Sequence, residues 1–141
     1  MLLSIMQPPK IIPILPFFNF VFAWNRGISF GMFNSNEKWS SWIFAVIALC
    51  IIIFLIKWLT KVTHKYSSFA IGMIIGGAMG NVIDRLLHGA VFDFLDFYVG
   101  KYHWPAFNIA DAGITCGAII LILDSMRSKG KNINDNSLET K

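Results

Sequence analysis

The chain of 141 residues is 55% hydrophobic and 14% charged, and its mean hydropathy is +0.59. A soluble domain carries about 25% charged residues, so the composition indicates a single integral membrane domain rather than a soluble one. The net charge of +4 does not indicate a nucleic-acid-binding protein, because the basic residues form no single patch and no nucleic-acid motif is present.

The N-terminal segment is apolar but does not resemble a membrane span. "IIPILPFFNFVFA" (11–23) is too short to cross a bilayer and contains two prolines. "FFNFVFAWNRGISFGMF" (17–33) is aromatic and β-prone, with a turn-like sequence at 25–27. We therefore expect residues 17–33 to form a short sheet or platform at the outer membrane surface.

Three later segments are long and apolar enough to be transmembrane helices, at 39–60, 67–87 and 106–126. Trp39, Trp42 and Trp58 lie near the ends of the first, as interfacial aromatic residues do. The second contains Gly72, Gly76 and Gly80, a spacing that predicts a close-packing face for another helix.

Basic residues set the expected orientation of these helices. The linker "KWLTKVTHKY" (57–66) carries three lysines and no acid, and more basic residues follow the third helix. The positive-inside rule places both regions in the cytoplasm. Residues 1–38 and 84–111 then lie outside, residues 127–141 form a cytoplasmic tail, and the polar part from Gly130 is expected to be disordered. With this orientation, we expect a further transmembrane helix upstream that carries the N-terminal segment across the membrane.

Ionisable and amide side chains concentrate in the second half of the chain, although such groups are costly at membrane depth and usually mark function. Asn81, Asp84, Arg85 and His88 share one helical face by their spacing. Asn108 and Asp111 lie at the start of the third helix, and "VFDFLD" (91–96) adds two further acids. Two carboxylates in a low-dielectric pocket tend to share a proton, as in aspartic proteases.

Each of these residues also has a structural interpretation. Asp84 beside Arg85 is most simply an internal ion pair, and Asn108 is a good helix N-cap. Asp96, His88 and His103 are expected to be interfacial rather than catalytic. Cys50 and Cys116 lie in apolar runs and are expected to be buried structural thiols. The residues alone leave a paired-carboxylate site and a structural polar cluster equally open.

Three motifs resemble those of the lipoprotein signal peptidase (signal peptidase II) family: "NRGISFG" (25–31), "GGAMGNVIDRLLHGAVFDFLDF" (76–97) and "FNIAD" (107–111). They occur in the family's order across about residues 11–126. The resemblance implies an aspartic endopeptidase of the bacterial inner membrane, with its site near the periplasmic face and with no metal or cofactor. Its substrate would be a prolipoprotein, cut before the diacylglyceryl-modified Cys.

Carried over by motif, the resemblance assigns the catalytic pair and a supporting shell. The catalytic pair is Asp93 and Asp111. The supporting and substrate-binding residues are Asn25, Gly27, Asn81, Asp84, Arg85, Asn108 and Ala110.

The expected fold is an all-α polytopic membrane protein with a small periplasmic β/loop platform. The family has four transmembrane helices, and three are identified in this sequence, so we expect the family's first helix to be lacking. The expected partners are the prolipoprotein and membrane lipids, without nucleic acid, and the expected state is a monomer. Two alternatives remain: a truncated inactive relative, and a small ion or solute transporter subunit that uses intramembrane Asp and Arg.

Overall fold

The structure is a computed structural model that describes residues 10–27 and 38–139, with side chains except at 38 and 129–139. In chain order it contains strands β1 (Ile11–Leu15) and β2 (Phe18–Asn25), helices α1 (Lys38–Leu59) and α2 (Lys65–His88), strands β3 (Val91–Val99) and β4 (Tyr102–His103), and helix α3 (Ile109–Glu139). Part of the predicted platform, residues 28–33, lies outside the described residues.

All three helices are long and apolar enough to cross a membrane, over Trp39–Leu59, Lys65–His88 and Ile109–Ser128. The three predicted segments are therefore helices that could cross a membrane, with boundaries that differ from the predicted ones by a few residues. α2 ends where Gly89 adopts a left-handed conformation (φ 71°) and donates its N–H to the Arg85 carbonyl. Glycine favours this conformation because it has no Cβ to clash.

The third helix differs from the prediction at both ends. It begins at Ile109 rather than 106 because the backbone of Phe107 pairs with Leu95 of β3, which keeps residues 106–107 extended. At its other end it continues to Glu139. The expected disorder from Gly130 is wrong for the backbone, since adding residues to an existing helix is far easier than starting a new one.

α2 is the central helix, because it packs against both α1 and α3. Ile52 of α1 joins Ala78 and Val82 of α2 in a buried cluster, with Ile114 of α3 against it. The tightest approach between α2 and α3 is at Gly77, outside the predicted stripe; of the predicted glycines, Gly80 alone comes near α3, where a Cβ would lie 3.4 Å from the Ala110 Cβ. A Cβ at Gly77 would collide with the Ala110 carbonyl oxygen, whereas nothing lies within 4 Å of one at Gly72 or Gly76.

The β platform is larger than expected and forms one antiparallel sheet in the order β1-β2-β3-β4. Residues 91–103, predicted only as an outer loop, supply two of its strands. Because β3 follows α2 directly, the sheet lies at the C-terminal end of α2 and the N-terminal end of α3. The pairing of β2 with β3 shifts register between Phe20 and Ala23.

The outer surfaces of the helices are strongly apolar. α1 exposes large residues such as Ile43, Val46 and Phe54, and buries only a narrow strip against α2. Cys50 and Cys116 are free and exposed on these surfaces. The expectation that both thiols are buried is therefore wrong, because an apolar sequence in a membrane helix can face lipid as well as the helix interior.

Candidate active site

One side of the candidate site is built on the sheet. Asp93 lies on β3 opposite Ala23 of β2 and is 2% exposed. Asn25, the last residue of β2, donates its Nδ2–H to Asp93 Oδ2 over 2.9 Å. The backbone N–H of Gly27 donates to Asn25 Oδ1 over 2.8 Å, which orients the amide so that its nitrogen faces the carboxylate.

Gly27 is required by this turn for two reasons. Its φ of +114° lies in a region that L side chains rarely adopt, and a Cβ there would collide with the ring of Phe44 on α1. The turn therefore brings the end of β2 against α1 while Asn25 points at Asp93.

The other side of the site is the first turn of α3. Asn108 Oδ1 accepts the Asp111 N–H over 3.0 Å, and Asp111 Oδ2 accepts the Asn108 N–H over 3.2 Å. This reciprocal pair is a capping box, which satisfies backbone donors at the helix start. Asp111 Oδ1 also accepts from Asn81 Nδ2 of α2 over 2.7 Å.

Asn108 joins the two sides. Its Nδ2 donates to Asp93 Oδ1 over 3.0 Å and to Asn81 Oδ1 over 3.1 Å. Asp93 and Asp111 are thus held in one hydrogen-bonded network through two asparagines, although they come from a strand and a helix. The residues Asn25, Asn81, Asp93, Asn108 and Asp111 are brought together as the motifs predict.

The surroundings of Asp93 give its carboxyl group a pKa different from that of an exposed aspartic acid. Burial raises the pKa of Asp93 above its usual value, and the nearby Asp111 carboxylate raises it further. Hydrogen bonds from Asn25 and Asn108 and the charge of Arg85 act in the opposite direction but do not cancel the effect of burial. Asp93 is therefore suited to hold a proton beside a second carboxylate.

Arg85 and Asp84 do not form the expected ion pair with each other within the described part of the chain. Arg85 Nη1 donates to the Asn81 carbonyl over 3.2 Å, and its guanidinium lies 5.7 Å from the centre of the Phe44 ring. Asp84 Oδ1 lies 4.0 Å from His88 Nδ1. The reason is helical geometry, since neighbouring residues in a helix do not face each other.

A cavity of about 440 Å³ opens beside this network. It has a polar side near the asparagines and an aromatic side from the sheet. Its lining residues are Trp24, Gly80, Asn81, Asp84, His88, Phe92, Phe94, Asn108, Ile109 and Ala110. Asp84 and Ala110 thus belong to the cavity wall rather than to the hydrogen-bonded network, and Ala110 also places its carbonyl against Gly77.

Sequence reasoning missed a second polar cluster on the sheet. Asp96 was expected to be interfacial, yet it is 5% exposed and bonded to Asn19 and His103. The available signal was the recurrence of polar residues among the aromatic residues of two paired strands. Within residues 10–27 and 38–139, no group of three or more His, Cys, Asp or Glu side chains is placed to hold a metal ion.

A buried Asp93 is linked through asparagines to a half-buried Asp111 at the end of apolar helices, and this arrangement is that of a membrane aspartic peptidase. The sequence model of the Signal peptidase (SPase) II family matches residues 2–127. The chain belongs to this family, whose members are membrane aspartic peptidases that remove signal peptides from prolipoproteins. Membership favours the peptidase hypothesis over the transporter subunit.

Individual relatives agree with this assignment. The lipoprotein signal peptidase of Alteromonas mediterranea is 45% identical over 132 residues, covering 92% of this chain and 72% of the relative. That of Vibrio parahaemolyticus is 48% identical over 120 residues, covering 84% and 71%. A bacterial membrane enzyme solved by the in meso method at 2.3 Å superposes with a TM-score of 0.75 at 29% identity, covering 92% of this chain and 79% of that one.

Proposed function

We propose that Asp93 and Asp111 are the catalytic dyad of this peptidase and that its substrate is a prolipoprotein cut before a diacylglyceryl-modified Cys. The observation that carries the proposal is the network in which Asn108 bonds both carboxylates. An aspartic peptidase needs one protonated and one ionised carboxyl group close together. The raised pKa of Asp93 assigns it the proton, which leaves the general-base role to Asp111.

The reaction then proceeds by general acid–base catalysis. Asp111 accepts a proton from water as the water oxygen bonds to the scissile carbonyl carbon, and Asp93 donates its proton to the carbonyl oxygen. The tetrahedral diol collapses when Asp111 passes its proton to the leaving nitrogen and Asp93 takes back a proton from a diol hydroxyl. The C–N bond breaks and both carboxyl groups return to their starting states.

The cavity beside the dyad suits an apolar substrate with one polar reacting group. Trp24, Phe92 and Phe94 offer aromatic surface to the lipid and the apolar side chains of the substrate. Asn81 and Asn108 lie at the polar side of the cavity. Asn25, Gly27 and Arg85 support the dyad, and Asp84 and Ala110 shape the cavity wall.

We also propose the placement of the chain in the membrane. The basic residues Lys57, Lys61 and Lys65 lie at the opposite end of α2 from the sheet, so the positive-inside rule places the site near the periplasmic face of a bacterial inner membrane. Residues 1–38 then lie outside, and residues 127–141 are the cytoplasmic tail of a single membrane domain. The exposed apolar helix faces contact lipid, and the enzyme acts as a monomer.

The test uses the full chain in lipid nanodiscs with a diacylglyceryl-modified prolipoprotein peptide. We expect Asp93→Asn and Asp111→Asn each to abolish cleavage while the protein remains folded in the membrane. Asp124→Asn is the matched control, because Asp124 is also a partly buried acid on α3 but lies near the other end of α2, beside Ser67. Wild-type cleavage by either dyad variant contradicts the assignment.

A further inference from the structure

A second buried carboxylate ties three strands of the sheet together. Asp96 of β3 accepts from Asn19 Nδ2 of β2 over 2.8 Å and lies 2.9 Å from His103 Nδ1 of β4. Asn19 and Asp96 are each 5% exposed, and the two residues are directly paired across the strands. We call Asn19, Asp96 and His103 the three-strand clamp.

The clamp lies beside an irregularity in the pairing of β2 with β3, where backbone hydrogen bonds alone do not fix the register of β2. Asn19 pairs with Asp96 and Ala23 pairs with Asp93, so four steps along β2 match three steps along β3, and β2 carries one extra residue. The extra residue of β2 lies between Phe20 and Ala23, and unless a pair of residues on the near side is held in place, a bulge of this kind can be taken up elsewhere along the strand, which lets β2 slip by one residue against β3. A slip of one residue beyond this point would turn every following side chain to the opposite face.

The position of Asn25 is the part of the site that depends on this register. Asn25 is paired with Val91 at the end of β2, and from there its amide reaches Asp93. On the other side of the irregularity, the buried contact between Asn19 and Asp96 fixes one pair of residues across the two strands. Without this contact, β2 has no side-chain hydrogen bond to β3 on that side of the irregularity among the described residues.

We propose that Asp96, with Asn19 and His103, is a positioning residue that sets the register of β2 and so holds Asn25 on Asp93. This inference rests on the proposed dyad. It also accounts for a buried charge that stability alone would not favour, because a buried ionic group is often less stabilising than apolar residues of the same volume. Buried polar groups that specify register are the best-supported exception.

An exchange of the two side chains provides the sharpest test. Asn19→Asp removes the amide donor, and at a pH where both carboxyl groups are ionised it places two like charges against each other, which should break the clamp. The double variant Asn19→Asp/Asp96→Asn restores a donor and an acceptor with their roles exchanged. We expect kcat of the single variant to fall by about 10²-fold, the scale of a misplacement near the reacting groups, with KM little changed, and we expect the double variant to recover most of it.

A pH profile separates positioning from general destabilisation. Asp93 faces Asn25, Asn108, Asp111 and Arg85. When Asn25 leaves, the Asp93 pKa rises further, so the alkaline limb of kcat in Asn19→Asp should move to higher pH. Asp124→Asn, which disrupts the partly buried Asp contact near the far end of α2, should leave the limb in place. An unmoved limb in Asn19→Asp overturns the proposal.

A disulfide readout keeps the inference testable if the chain cleaves no prolipoprotein. Trp24 and Phe92 are paired beyond the irregularity, so cysteines at both positions report register there. In a background of Cys50→Ala and Cys116→Ala, the pair should oxidise readily with the clamp intact, poorly with Asn19→Asp, and readily again in the exchanged variant. If the pair oxidises equally in all three backgrounds, the clamp proposal is overturned. If oxidation depends on the clamp but the chain cleaves no prolipoprotein, the result counts against the proposed function alone.

Discussion

Asn108 has two physical roles that can be separated by mutation. Its Oδ1 caps α3, and its Nδ2 reaches Asp93 and Asn81. The sequence predicts the cap from residue type and position, but it cannot show the second role, because the strand partner is 15 residues away.

Replacing Asn108 with Ser should distinguish these roles. Serine caps a helix nearly as well as asparagine but is too short to reach Asp93. We expect Asn108→Ser to fold with a thermal midpoint close to wild type and to lose about 10²-fold in kcat. Asn108→Ala should also lose about 1 kcal/mol of stability with the cap. If Asn108→Ser turns over at the wild-type rate, Asn108 acts only as a helix cap and the proposed role of its contact with Asp93 is contradicted.

The pH dependence of catalysis should report the environment of Asp93. Burial raises the pKa of Asp93, and the proposed mechanism needs its proton, so kcat should fall as pH rises through this raised value. The Asn25 hydrogen bond favours the ionised form and therefore lowers the pKa. Removing it in Asn25→Ala should move the alkaline limb to higher pH while lowering maximal kcat.

Val99→Ala is a suitable control for that measurement. Val99 lies on the same strand as Asp93 but is 80% exposed. Its substitution should leave both the limb and the maximum unchanged. A limb that moves to lower pH in Asn25→Ala would contradict the assigned direction.

At the scale of helices, the glycines of α2 separate into two sets. Spacing alone predicts the stripe of Gly72, Gly76 and Gly80, but packing is tightest at Gly77, which faces α3. A sequence pattern shows that glycines share a face and does not show which face meets a neighbour. Gly117 of α3 makes the corresponding close approach, since a Cβ there would lie 2.7 Å from the Ala70 carbonyl.

Alanine at these positions should therefore have opposite outcomes. Gly77→Ala forces α2 from α3 and should lower the free energy of unfolding by about 1–3 kcal/mol, as overpacking does. Because Ala110 precedes Asp111, kcat should fall as well. A Cβ at Gly76 meets nothing within 4 Å, so Gly76→Ala should raise the free energy of unfolding by up to about 1 kcal/mol, because alanine favours a helix over glycine. Thermal unfolding in detergent measures both, and equal destabilisation would contradict the observed helix contact.

The strands were harder to predict than the helices. An apolar run long enough to span a bilayer identifies a helix by length, so all three spans could be found. β3 has no comparable signal in its sequence. "VFDFLDFYV" mixes aromatic residues with two acids, and the burial of these acids is explained only by their partners on β2. Strand pairing is non-local, and the residues opposite Asp93 and Asp96 lie about 70 positions earlier in the chain.

At the scale of the whole molecule, the candidate site exists only where three units meet. Asn25 comes from the end of β2, Asn81 from α2, and Asn108 and Asp111 from the start of α3. The resemblance to a known family could predict that these residues converge, because each motif identifies one segment that contributes to the family's site. Their hydrogen-bond partners depend on the sheet register and on helix packing, which no single segment contains.

The orientation of the molecule in the membrane can be tested with two exposed positions at opposite ends of α2. Thr63 lies in the basic α1–α2 linker, and Lys101 lies in the turn between β3 and β4, on the side of the dyad. In a Cys50→Ala/Cys116→Ala background, Lys101→Cys should react with a membrane-impermeant maleimide added to spheroplasts. Thr63→Cys should react only after the membrane is permeabilised, because the three lysines of the linker favour the cytoplasmic side. The converse labelling would place the proposed dyad at the cytoplasmic face and would contradict the proposed orientation.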